Sequence, residues 1–173
     1  MTRINFPENW PLPPEFLEEL GRISVLFGVL ESGVNMTISK LSGYEGILDW
    51  RSATVTAHAN FKQRLDILET LLHELHDEYP KLKDYPRVVK NLKDVQGLRN
   101  KYLHNSMHYD EETDKVEFSQ LSARGKLKPK MGIVTIHELQ SLAAKIHNTQ
   151  LDLHELITGS KYPPIWENIA NKQ

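Results

Sequence analysis

The chain of 173 residues has no cysteine. That absence excludes a disulfide framework, a cysteine-ligated zinc site and a thiolate nucleophile. Long apolar runs are also missing. The longest, Ile23 to Leu30, is interrupted by Ser24 and Gly28 and falls well short of the ~20 residues that span a bilayer. The first residues have neither the basic start nor the unbroken apolar stretch of a signal peptide. Pro7, Pro11, Pro13 and Pro14 interrupt the region, so a cytoplasmic location is expected. The sequon Asn35-Met36-Thr37 then has no secretory context. There is no excess of positive charge: 21 Lys and Arg against 23 Asp and Glu leave a net charge of -2. This argues against a broad, non-specific DNA-binding surface built on many phosphate contacts, but leaves room for a local anion site. No glycine-rich phosphate loop, Gly-x-Ser-x-Gly elbow or paired-carboxylate signature is found.

What is present fits one globular domain. Hydrophobic residues at 39% and charged residues at 25% are ordinary for that class. The expected core runs from about 14 to 157, with a tail over 158–173. Phe16, Leu20, Ile23, Phe27, Leu30, Val34, Ile38 and Leu41 recur at steps of three and four, which predicts a helix over about 14–41. Gly21, Gly28 and Gly33 weaken its propensity, so a closely packed helix neighbour is expected there. Residues 45–57 read as a short helix and a bend. Asn60 with Gln63 forms a capping-box pattern ahead of a Phe61, Leu65, Leu68, Leu72, Leu75, Tyr79 seam that Pro80 stops. Pro86 suits the first turn of the next helix, whose stripe is Val88, Leu92 and Val95. Asp110 to Asp114 is turn-like, Val116, Phe118 and Leu121 suggest a strand, and Ser122 to Gly125 returns the chain into a second strand over about 126–134. Thr135 with Glu138 caps a last helix to about 157, ended by Gly159, and Trp166 of the tail is expected to dock locally. The expected fold is all-α: an up-and-down bundle of four main helices plus a short one, with a β-hairpin inserted before the last helix.

The stretch most suggestive of chemistry is Arg99-Asn100-Lys101-Tyr102-Leu103-His104. Arg99 falls where the next apolar residue of its stripe is due. A guanidinium holds a phosphate through parallel hydrogen bonds and keeps its charge, and an imidazole exchanges protons near neutral pH. Asn100 and His104 lie one turn apart on one face, and Gly97 is expected to clear space beside them. On an ideal helix, however, His104 stands about 140° around from Arg99. Convergence requires a distorted helix end, the long reach of arginine, or a second subunit, and the last makes a dimer part of the expectation. The bland alternative is a snorkelling Arg99 that caps a neighbouring carboxylate.

Other candidates are weaker. Arg124, Lys126, Lys128 and Lys130 alternate, so on a strand all four project from one face. They form either an RNA-binding strip or a charged edge that discourages aggregation. His73 and His76 are spaced by three and lack the i, i+4 pairing of the zincin motif, so a solvated face is expected and no metal. His58, His137, His147 and His154 receive no role.

A multi-helix bundle whose late helix ends in Arg-Asn-x3-His resembles the HEPN superfamily. Leu98 to Asn105 fits its Arg-x4–6-His motif, including the polar residue that often follows the arginine. With Tyr109-Asp110, the hairpin, Ala123 to Leu127 and the final capped helix, the detailed similarity covers about residues 86–157. The resemblance implies a homodimer with two Arg/His motifs facing one another across a cleft, and a metal-independent endoribonuclease without cofactor. Such enzymes occur in toxin–antitoxin, anti-phage and RNA-processing systems. By the same resemblance His104 assists proton transfer, Arg99 stabilises the crowded phosphate and Asn100 orients it, leaving a 2′,3′-cyclic phosphate end. Members paired with nucleotidyltransferase antitoxins often carry a tyrosine two residues after the histidine, where this chain has Ser106. Some HEPN domains are non-catalytic RNA-binding, protein-interaction or dimerisation modules, so both classes, and RNA or an antitoxin as partner, stay open here.

Overall fold

The computed structural model describes residues 6–43, 50–122 and 127–170. Its first helix, α1, spans Pro14–Leu41 and buries Ile23, Phe27, Leu30, Val34 and Ile38 along one stripe. Gly43, at a φ of 81°, turns the chain just beyond it. The short helix α2 covers Trp50–Thr56, and the first part of the stretch expected to hold a short helix and a bend, residues 45–49, lies outside the described residues. Helix α3, Phe61–Leu75, starts on the full reciprocal capping box between Asn60 and Gln63, which satisfies two otherwise orphaned backbone donors. A 3-10 turn over Pro80–Asp84 seats Leu82 in the core and leads into α4, Tyr85–Leu103.

Helix α5, Ile136–Thr158, has the same reciprocal box between Thr135 and Glu138, and ends on Gly159 in the left-handed conformation. A last helix, α6, covers Ile165–Ala170. The long helices pack as neighbours: α1 against α3 and α5, and α4 against α3 and α5. Leu65, Leu68, Leu72, Leu92, Leu139 and Ile146 lie fully buried among them. Among the described residues no helix is long and apolar enough to cross a membrane.

The fold is mainly helical, as expected, but the two-stranded hairpin needs correction. A three-stranded antiparallel sheet follows α4, in the order β1 (Ser106–Asp110), β2 (Lys115–Ser122) and β3 (Lys128–Val134). Strand β1 escapes sequence reading because it begins two residues after a helix and carries no β-branched residue. Its alternation becomes visible through pairing: Met107 stands opposite Phe118 and Tyr109 opposite Val116. Both Met107 and Tyr109 pack against the core, whereas Ser106 and His108 are exposed. On β3 a Cβ at Gly132, which stands opposite Phe118, would come 2.7 Å from the Phe118 ring, so the side-chain-free position is what leaves room for the ring.

The helical glycines do not play the expected part. A Cβ at Gly21, Gly28 or Gly97 would meet nothing within 4 Å, and at Gly33 only Leu153, at 4.0 Å. Neither a close helix crossing nor the space beside Asn100 and His104 depends on them. The tail does dock: the Ile165 N–H donates to His147 Nε2 at 3.3 Å, and the Trp166 ring meets that imidazole edge to face at 5.4 Å.

Candidate functional site

Helix α4 buries Val88, Leu92, Val95 and Tyr102, with Arg99 in the same stripe. Its apolar stem lies along the core, and its guanidinium carbon sits 5.0 Å above the Phe27 ring of α1. A cation over an aromatic face gains from the ring quadrupole and stays accessible to anions. The helix stops at Leu103, and its cap residue His104 is displaced from ideal helical torsions, at φ -111° and ψ -2°, while staying in the right-handed region and keeping its N–H on the Asn100 carbonyl at 3.2 Å. The Asn105 side-chain amide donates to the Lys101 carbonyl at 2.6 Å and caps one of the carbonyls left open at the helix end.

This frayed turn resolves the angular problem. Arg99 Nη1 lies 2.5 Å from His104 Nε2 and 3.3 Å from Asn100 Oδ1. The distorted helix end and the reach of arginine together bring the three groups into contact within one chain, so their juxtaposition does not require a second subunit. Arginine has no lone pair to offer, so Nε2 is the acceptor and the imidazole proton is assigned to Nδ1. Nor does Arg99 cap a carboxylate. It forms no ion pair among the described residues, and its Nε is buried without an acceptor. An unsatisfied buried donor costs about 1–3 kcal/mol, a cost that a purely structural arginine paired to an acid would avoid.

The three residues open onto a depression of about 420 Å³. Its walls come from α1 through Phe27 and Glu31, from the start of α3 through Asn60, Phe61 and Arg64, and from the end of α4 through Gln96, Arg99, Asn100 and His104. Among the described residues, two permanent cations against one carboxylate make the pocket lining positive in a chain of net charge -2. Sequence reasoning missed Glu31, Arg64 and Gln96. Arg64 lies one turn beyond the Asn60 cap, and that is the one local hint that it shares a face with the helix start. Which helix end abuts that face is decided by tertiary packing.

The described part of the basic strip, Lys128 and Lys130, does not join this site. Arg124 and Lys126 lie outside the described residues. Lys128 and Lys130 are exposed on β3, with Lys130 opposite Gln120, and neither lines the pocket. His73 Nδ1 pairs with the Tyr85 hydroxyl at 2.9 Å, and the His73 and His76 rings stack at 5.5 Å. Among the described residues no three His, Asp or Glu side chains gather to hold a metal ion.

No family model matches the chain, and no solved structure matches it. It is similar to one subunit of the ATP-dependent helicase/deoxyribonuclease from three strains of Clostridium perfringens, with 33% identity over 96 residues. That stretch is 54% of this chain and 8% of the Clostridium protein. The chain thus spans a small fraction of the curated relatives it matches.

Proposed function

We propose that this chain is a HEPN-type, metal-independent endoribonuclease whose helices form an up-and-down four-helix bundle and whose protomers pair as a homodimer. The observation that carries this reading is the cluster of Arg99, Asn100 and His104: a guanidinium with no carboxylate partner among the described residues, touching an imidazole in an open cationic pocket. RNA supplies its own nucleophile, so the protein needs only to hold the phosphate and move a proton. Arg99 Nη1 leaves His104 Nε2 for a non-bridging phosphate oxygen, which frees the imidazole lone pair. Nε2 then takes the 2′-hydroxyl proton as O2′ bonds to phosphorus. The bond from phosphorus to O5′ breaks, and O5′ is protonated in turn by the imidazolium or by water. The products are a 2′,3′-cyclic phosphate and a 5′-hydroxyl. Arg99 offsets charge on the five-coordinate phosphorus, and Asn100 holds Arg99 in place.

A second reading is a non-catalytic module that binds RNA, an antitoxin or another protein through the same pocket. It is favoured by one feature, the engagement of the Nε2 lone pair by Arg99. Incubation of the purified protein with mixed RNA in EDTA separates the two. Cleavage to 2′,3′-cyclic ends is expected, slowed by about 10²–10⁴-fold in both Arg99→Ala and His104→Ala. A wild-type protein inert at high concentration overturns the nuclease reading.

A further inference from the structure

Among the described residues, Arg64 is the one permanent cation lining the pocket that the Arg99–His104 cluster leaves unused. It enters from the first turns of α3, which is a different wall from that of Arg99. Its backbone N–H closes the first turn on the Asn60 carbonyl at 3.0 Å, and the neighbouring Leu65 is buried, which holds this turn of α3 against the core. The side chain is half-buried and forms no hydrogen bond or ion pair among the described residues, and its Nε is withdrawn from solvent with no acceptor. Arginines elsewhere in the fold behave differently: Arg22 pairs with Glu18 and Glu19, and Arg87 with Asp84 and Asp152. Glu31 lines the same pocket but forms no ion pair with either guanidinium. Two guanidiniums, each with its Nε withdrawn from solvent, therefore line one small volume, and neither forms an ion pair among the described residues. Such an arrangement is self-repelling, and a polyanion relieves it.

We infer that Arg64 is a substrate-binding residue that holds a backbone phosphate of single-stranded RNA, acting on ground-state binding while Arg99 and His104 act on the reacting phosphate. The inference rests on the ribonuclease reading for the identity of the polyanion. Arg64 touches neither Asn100 nor His104 in any hydrogen bond, so its contribution belongs in KM.

A fluorescent single-stranded 2′-O-methyl RNA of about 20 nucleotides tests it, because the blocked 2′-oxygen prevents cleavage and isolates binding. In Arg64→Met, which keeps the stem and loses the charge, Kd should rise about tenfold. The slope of log K against log salt should become shallower by about 0.7, the loss of one single-strand phosphate contact. Arg64→Lys should restore most of both. With cleavable RNA, Arg64→Met should raise KM with kcat within about twofold of wild type. Should Arg64→Met not fold, the Arg64 Nε–Hε resonance of the wild-type protein provides the same test, and it should shift on addition of the 2′-O-methyl RNA. An unchanged Kd and salt slope, an unmoved resonance, or no binding by the wild type overturns the inference. If the wild type cleaves RNA and Arg64→Met behaves like it, the inference falls and the nuclease reading stands. If the wild type never cleaves but binds through Arg64, the nuclease reading falls and the binding site stands.

Discussion

A single residue decides whether the motif is a site. His104 sits where α4 gives way to extended chain, and its displacement from ideal helical torsions turns the imidazole toward Arg99. The sequence makes the unusual position of Arg99 legible, since an arginine interrupts an apolar stripe that resumes at Tyr102. It does not reveal the frayed turn, which depends on how the following strand leaves the helix. His147 shows a second residue-scale effect. Burial holds its pKa below the usual histidine value of 6.5, and the Ile165 N–H bond requires Nε2 to stay unprotonated. With the folded-state value lowered, the unfolded chain binds the proton more readily. The stability contributed by this residue is therefore complete above pH 6.5 and is lost as pH falls through the lowered value. Thermal unfolding at about pH 7.5 and about pH 5, on either side of the histidine range, should show His147→Gln losing less Tm on acidification than the wild type. Equal losses would refute a role for His147 in holding the tail.

At the scale of elements, two glycine substitutions should act with opposite sign. Gly28 lies in the exposed interior of α1 with open space around it, so Gly28→Ala should stabilise the fold by about 0.5–1 kcal/mol through lost unfolded-state freedom. Gly132 faces Phe118, and there a methyl group would enter the ring at 2.7 Å. Gly132→Ala should destabilise by about 1–3 kcal/mol, the usual cost of overpacking a core. Urea denaturation of the two variants checks both signs. The same contrast marks what the sequence can reveal. Periodicity and capping boxes place α1, α3, α4 and α5 within a few residues, because an apolar stripe and a cap are local properties. Strand β1 stays hidden because its partner, not its composition, makes it a strand: Met107 and Tyr109 point inward only by pairing with Phe118 and Val116. The space-clearing role expected of Gly97 fails for the matching reason, since nothing approaches it.

On the scale of the whole molecule, a dimer raises the matter of how two protomers would divide the chemistry. Sequence geometry puts Arg99 and His104 about 140° apart and so makes a second subunit one way to unite them. The contact of 2.5 Å between Arg99 Nη1 and His104 Nε2 unites them inside one chain, while the pocket draws on α1, α3 and α4 of that same chain. A dimer of such chains holds two sites, each complete in its arginine and histidine. Mixing Arg99→Ala protein with His104→Ala protein distinguishes this from a shared site. In an exchanged heterodimer with sites built in trans, one site regains both residues and the other loses both, so cleavage returns to up to half of the wild-type level per heterodimer. With sites built in cis, each protomer of the heterodimer lacks one essential group and no activity returns. The intrachain contact predicts the second outcome. Light scattering of the mixture establishes that dimers are present, and co-purification of two differently tagged variants establishes that they have exchanged. Recovery of cleavage in exchanged dimers would mean that the intrachain contact of Arg99 and His104 is not the arrangement that cleaves RNA.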